Sequence, residues 1–157
     1  MSLKVGDKAP DFTLINTEGQ KLSLKNFLNK QVVLLFFPFA NSSVCHEEMC
    51  SMRDNLKIYE NLNAQILGIS VDSHYSLKLW GEKLNLNFPL LSDFNKDASS
   101  KYDSLNHLHS PGKYDYIGVS KRSAFVIGKD GKIKYVEICE HTGLQPNYEA
   151  IKKTLAE

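Results

Sequence analysis

The chain has 157 residues, 42% of them hydrophobic and 24% charged, which suits one globular domain over residues 1–157 and argues against a disordered, collagen-like or coiled-coil chain. Nineteen Lys and Arg against eighteen Asp and Glu leave a net charge of +1, a balance that supplies no field for holding a nucleic acid or an anionic membrane. Three cysteines are too few and too odd a number for a disulfide framework; with a polar start that lacks an apolar signal core, they point to a reducing, cytoplasmic setting.

In chain order, Phe12-Thr-Leu-Ile15 and Lys21-Leu-Ser-Leu24 alternate around Asn16-Thr-Glu-Gly19, the composition of a hairpin turn. Residues 31–37, apolar without a break after Gln31, read as a strand covered on both faces, and residues 32–40 are too short a run to cross a membrane. Residues 44–63 predict one helix whose buried face is Cys45, Met49, Met52, Leu56 and Tyr59, at alternating spacings of four and three. Residues 64–71 read as a second buried strand, and residues 75–86 as a helix carrying Leu77, Trp80 and Leu84 inward. Residues 88–93 predict a short extended run and residues 97–105 a short helix, after which residues 106–118 read as a loop with His107 and His109 in solvent. A late hairpin joins residues 123–127 to residues 133–138 across Lys129-Asp130-Gly131, and Pro146 opens a terminal helix. This order predicts an α/β thioredoxin-like fold: a mixed central sheet, helices on both faces and an N-terminal β-hairpin extension.

Chemistry concentrates in Phe37-Pro38-Phe39-Ala40-Asn41-Ser42-Ser43-Val44-Cys45-His46-Glu47-Glu48-Met49-Cys50. A buried strand runs through a proline-containing loop into a helix whose first turn carries Cys45. Unpaired amides and the positive end of the helix dipole favour a thiolate there, so a lowered pKa is expected. Packing alone also accounts for Cys45, which shares the apolar face of Met49 and Met52.

The spacing Pro38-x-x-x-Ser42-x-x-Cys45 resembles the peroxiredoxin active-site motif, with serine where threonine is commoner. Arg122, just ahead of the strand at residues 123–127, stands where that family carries a catalytic arginine. Val5-Gly-Asp-Lys-Ala-Pro-Asp-Phe-Thr-Leu14, Phe88-Pro-Leu-Leu-Ser-Asp93 and Phe125-Val-Ile-Gly-Lys-Asp-Gly131 extend the likeness over nearly the whole chain. Residues 44–54 look most like the bacterioferritin comigratory protein subgroup, an atypical two-cysteine group. The resemblance implies a thiol-dependent peroxidase that reduces hydrogen peroxide or an alkyl hydroperoxide at Cys45, with Ser42 and Arg122 donating to substrate and Pro38 shaping the loop. It implies that Glu48 orients the arginine, although an acidic residue in a first helical turn is also favoured by the dipole alone. No cofactor is implied; the implied partners are a thioredoxin-like protein or a small thiol as reductant, and the protein would be a monomer or homodimer.

Cys50 falls on the polar stripe His46, Cys50, Arg53, Lys57, where packing gives cysteine no role. Five residues along a helix separate two Cα atoms by roughly 8–9 Å, beyond the reach of about 7 Å that a disulfide allows. The resemblance makes Cys50 the resolving cysteine, and a Cys45–Cys50 bond would then require the helix start to unwind. Cys139 fits a buried strand position and stays a second candidate. Two other readings are open: a general thiol–disulfide oxidoreductase, disfavoured by the absence of Cys-x-x-Cys, and a Cys/His metal-binding module, disfavoured by ligand spacing.

Overall fold

Both hairpins form where turn chemistry and alternation put them. β1 (Thr13–Asn16) pairs antiparallel with β2 (Lys21–Ser23), and the Asn16 side chain closes the turn by accepting hydrogen bonds from the amides of Glu18 and Gln20. A 3₁₀ turn, Leu24–Phe27, leads into β3 (Gln31–Phe36). These observations come from a computed structural model that describes residues 2–141 and 143–157.

β3 is the centre of the sheet. It runs parallel to β4 (Ala64–Ser70), which runs parallel to β5 (Leu90–Ser92); on its other side it pairs antiparallel with β8 (Ser123–Ile127), itself paired with β9 (Ile133–Ile138). The seven-stranded order is β2-β1-β5-β4-β3-β8-β9. Successive β3 side chains point to opposite faces, so Val33 and Leu35 enter one apolar layer while Val32, Leu34 and Phe36 enter the other. Continuous hydrophobicity is what two covered faces demand.

The first layer is closed by α1 (Ser43–Asp54), α3 (His74–Lys83) and α5 (Tyr148–Ala156), which contribute Met49, Trp80 and Ile151 respectively. The second is closed by the N-terminal segment and α4 (Asp97–Lys101), where Phe12, Ala98 and Tyr102 pack on Phe36 and Phe125. Helices on both faces and a mixed sheet match the thioredoxin-like expectation.

Four expectations change. The helix over residues 44–63 is two, α1 and α2 (Leu56–Asn61), because the Asn55 side chain donates to the Ser51 carbonyl at 2.8 Å and competes with the helical ladder. The terminal helix begins at Tyr148 with Asn147 as its cap, two residues beyond Pro146. Residues 106–118 are not bare loop: β6 (Leu105–Asn106) pairs with β7 (Val119–Ser120), and His109 bridges to Tyr116. Finally, His109 is buried rather than solvated, since that bridge folds its ring against Phe39; His107 is exposed as expected.

Candidate active site

The site forms at one end of the central strand pair. Phe36, the last residue of β3, is opposite Ser123, the first of β8, so the loop leaving β3 and the residue entering β8 meet at the same sheet edge. That loop holds Pro38 and Ser42 and feeds α1; Arg122 immediately precedes β8. Antiparallel pairing thus brings together groups 77 positions apart.

Arg122 Nη1 donates to Cys45 Sγ at 3.2 Å and to Glu48 Oε1 at 2.7 Å. All three side chains are buried, and Cys45 and Glu48 have no solvent exposure. Glu48 reaches this position because it lies on the inward face of α1, three residues after the thiol. It therefore does more than answer the helix dipole. Glu48 Oε2 is buried without a hydrogen-bond partner among the described residues.

The charges oppose one another. Burial pushes the Cys45 thiol above its ordinary pKa, and this outweighs the lowering by Arg122, by the Ser42 side chain and by the Phe39 backbone; the nearby Glu48 adds to the rise. The expectation of a lowered value is corrected on this point, because removal from water costs the thiolate more than its neighbours return. Burial likewise pushes Glu48 up to about 7 despite its ion pair with Arg122. Near neutral pH the carboxyl is thus divided between its two forms.

Ser42 is the cap residue of α1, yet its hydroxyl donates to the Phe39 carbonyl at 3.2 Å and caps no helix amide. The first turn of α1 also holds no acidic residue. Pro38, Phe39, Ser42, Ser43, Val44, His109, Arg122 and Gly143 line a cavity of about 150 Å³ beside the thiol. Arg122 belongs to both the cavity wall and the Cys45 contact. A larger hollow of about 630 Å³, between the first hairpin and α4, contains no cysteine and lies away from this chemistry.

All three cysteines are free. α1 runs unbroken through Cys45 and Cys50, so the two thiols are held apart by helix geometry. Cys50 is half-buried and borders the core beside Met49, so it has some packing role after all; the buried face of α1 is wider than the alternating stripe suggests. Cys139 follows β9, is buried, and donates its amide to the Arg122 carbonyl. Burial, with Glu137 and Glu48, pushes its thiol up to about 11 against a smaller opposing effect of Arg122. Among the described residues, no group of three or more His, Cys, Asp or Glu side chains gathers as a metal site would require.

Residues 5–136 match the AhpC/TSA family. The chain belongs to that family. It is 37% identical over 132 residues to the protein named "Putative peroxiredoxin bcp" from Buchnera aphidicola, covering 84% of this chain and 82% of that one. A chloroplastic 2-cysteine peroxiredoxin from Chattonella marina is 36% identical over 146 residues, covering 86% of this chain and 70% of that protein. In three dimensions the peroxidoxin BcpB of Mycobacterium tuberculosis superposes with a TM-score of 0.84 at 28% identity, covering 98% and 96% of the two chains. The protein is accordingly a peroxiredoxin similar to the bacterioferritin comigratory group, an enzyme that reduces peroxides with a thiol. Among the described residues, no helix is long and apolar enough to cross a membrane.

Of the residues lining the cavity, sequence reasoning named Pro38, Ser42 and Arg122 as site residues and missed Phe39, Ser43, Val44, His109 and Gly143. The adjacency of Phe39 to Pro38 was a signal for the first. Nothing local marked His109, which reaches the cavity only through the bridge to Tyr116.

Proposed function

We propose that Cys45 is the nucleophile that peroxide oxidises, that Arg122 and Ser42 hold the peroxide, and that Cys50 resolves the product as an intramolecular disulfide. The observation that carries this reading is the paired donation of Arg122 Nη1 to Cys45 Sγ and Glu48 Oε1. A guanidinium stays protonated throughout, so it can stabilise both the thiolate and charge growing on the departing oxygen. The thiolate attacks one peroxide oxygen, the S–O bond forms as O–O breaks, and the other oxygen leaves as water or an alcohol. Cys45 becomes a sulfenic acid. Pro38, which has no N–H, shapes the wall that limits water access.

Resolution requires movement. Cys50 attacks the sulfenic sulfur, water leaves, and a disulfide remains for a thioredoxin-like protein or a small thiol to reduce in a reducing cytoplasm. The weak cap at Ser42 supports an unwinding of the first turns of α1, since a good side-chain cap is worth about 1 kcal/mol and this helix start lacks one. Cys139 is the less suitable partner because it is buried after β9, with its amide held by the Arg122 carbonyl, whereas Cys50 is half-buried on the same helix as Cys45.

The test is mass mapping after one equivalent of hydrogen peroxide, in the parent and in Cys50→Ser. A Cys45–Cys50 disulfide in the parent and a stalled or overoxidised Cys45 in the variant are expected. Normal cycling of Cys50→Ser through a bond to Cys139 would refute the assignment.

A further inference from the structure

We propose that His109 is a catalytic residue of this site, donating a hydrogen bond from its imidazole to the peroxide oxygen that departs when Cys45 is oxidised. The proposal rests on the peroxidase reading and adds to it a group that no part of the Pro38, Ser42, Cys45 and Arg122 pattern contains.

Three observations carry it. First, the ring is held in place: it meets Phe39 edge-on at 5.4 Å, stacks on Tyr116 at 6.3 Å with 14° between the planes, and is only 8% exposed. Its own backbone is fixed by hydrogen bonds to Tyr116 in both directions. Second, Nδ1 is buried with no partner among the described residues. A phenylalanine would fill the same aromatic slot without leaving a polar atom unsatisfied, so packing gives no reason for histidine here. Third, His109 shares the 150 Å³ cavity with Ser42 and with Arg122, whose Nη1 donates to the thiol. With Nδ1 sealed in, Nε2 is the nitrogen left for the cavity.

The electrical state fits. Burial and then the Arg122 charge lower the His109 pKa, so the ring is neutral at pH 7 and carries one N–H. Placing that proton on Nε2 leaves only an unpaired acceptor in the interior and aims the donor at the cavity. In the reaction, two electrons pass from sulfur to the O–O bond. The attacked oxygen stays on Cys45, and the departing oxygen gathers negative charge before it takes up the proton released by the thiol. A donor already oriented toward that oxygen acts most strongly when the charge is greatest. The imidazole itself is unchanged at the end.

The experiment compares His109→Phe, His109→Gln and His109→Asn with the parent, under reducing conditions and then after a single addition of hydrogen peroxide. Sulfenic acid formation is followed by rapid mixing. The expected loss in His109→Phe is about tenfold, the effect of one hydrogen bond present mainly in the transition state. His109→Gln, whose amide reaches the Nε2 position, should stay within about threefold, while His109→Asn, which reaches only the Nδ1 position, should resemble His109→Phe. Alkylation of Cys45 by iodoacetamide, which has no O–O bond to break, should be unchanged, and the melting temperature of His109→Phe should equal or exceed that of the parent. A His109→Phe protein that reacts with peroxide as fast as the parent overturns the proposal. So does a parallel loss of peroxide and iodoacetamide reactivity, or a loss confined to variants that have become less stable. If the parent itself forms no sulfenic acid, the peroxidase reading fails instead.

Discussion

Replacing Glu48 by glutamine isolates the cost of holding a carboxylate in the interior. Glutamine keeps the shape and an oxygen for Arg122 but cannot ionise. In the folded chain burial raises Glu48 to about 7, against 4.5 for an ordinary glutamate. At 1.36 kcal/mol for each pH unit, that gap corresponds to about 3 kcal/mol. Because the folded value is the higher one, the folded state binds the proton more tightly than the unfolded state does. The stabilisation is therefore complete below pH 4.5 and lost as pH rises through about 7. Glu48→Gln lacks this dependence. The stability difference between the two proteins should move by about 3 kcal/mol in favour of the variant between pH 4.5 and 8. Chemical denaturation under reducing conditions, followed by the fluorescence of the single, buried Trp80, measures it at each pH. The variant should also bring the Cys45 pKa down, since the Glu48 charge raises it. A constant difference across the range, or a variant that loses ground as pH rises, would refute the reasoning. It would mean that Glu48 stays ionised and that its bond to Arg122 outweighs burial.

Other outcomes follow from the same contacts. Cys45→Ser should consume no peroxide while its far-ultraviolet circular dichroism matches the parent. Arg122→Met should slow sulfenic acid formation by about 10² or more, through loss of a fixed donor at the reacting atoms, and a rate equal to the parent would exclude that role. Oxidation to the Cys45–Cys50 disulfide should raise amide hydrogen exchange across residues 42–53 relative to the reduced protein, because an intact α1 cannot bring the two sulfurs together. Cys139→Ala should leave peroxide turnover with a thioredoxin system unchanged and lower the melting temperature by a few degrees, as expected for trimming a buried side chain.

Local patterns were enough for much of this protein. The doubly covered strands β3 and β4, the turn at Asn16–Gly19, the late hairpin and the placing of Cys45 at a helix start are each written in contiguous residues, because periodicity and turn chemistry act over a few positions. The spacing from Pro38 to Cys45 is local in the same sense. What tertiary structure alone decided is the environment of the thiol. Helix geometry at Cys45 favours a thiolate, yet burial among groups from α1 and β8 raises its pKa, and no short window of sequence contains that burial. For Glu48 the sequence offered two roles, orienting the arginine by family resemblance or answering the helix dipole, and the β3–β8 register favours the first by carrying Arg122 to within 2.7 Å of it. His109 reads as a loop residue until its bridge to Tyr116 turns the ring onto Phe39. Desolvation and long-range charge pairing depend on which distant segments come to rest against each other, and so they belong to the fold as a whole.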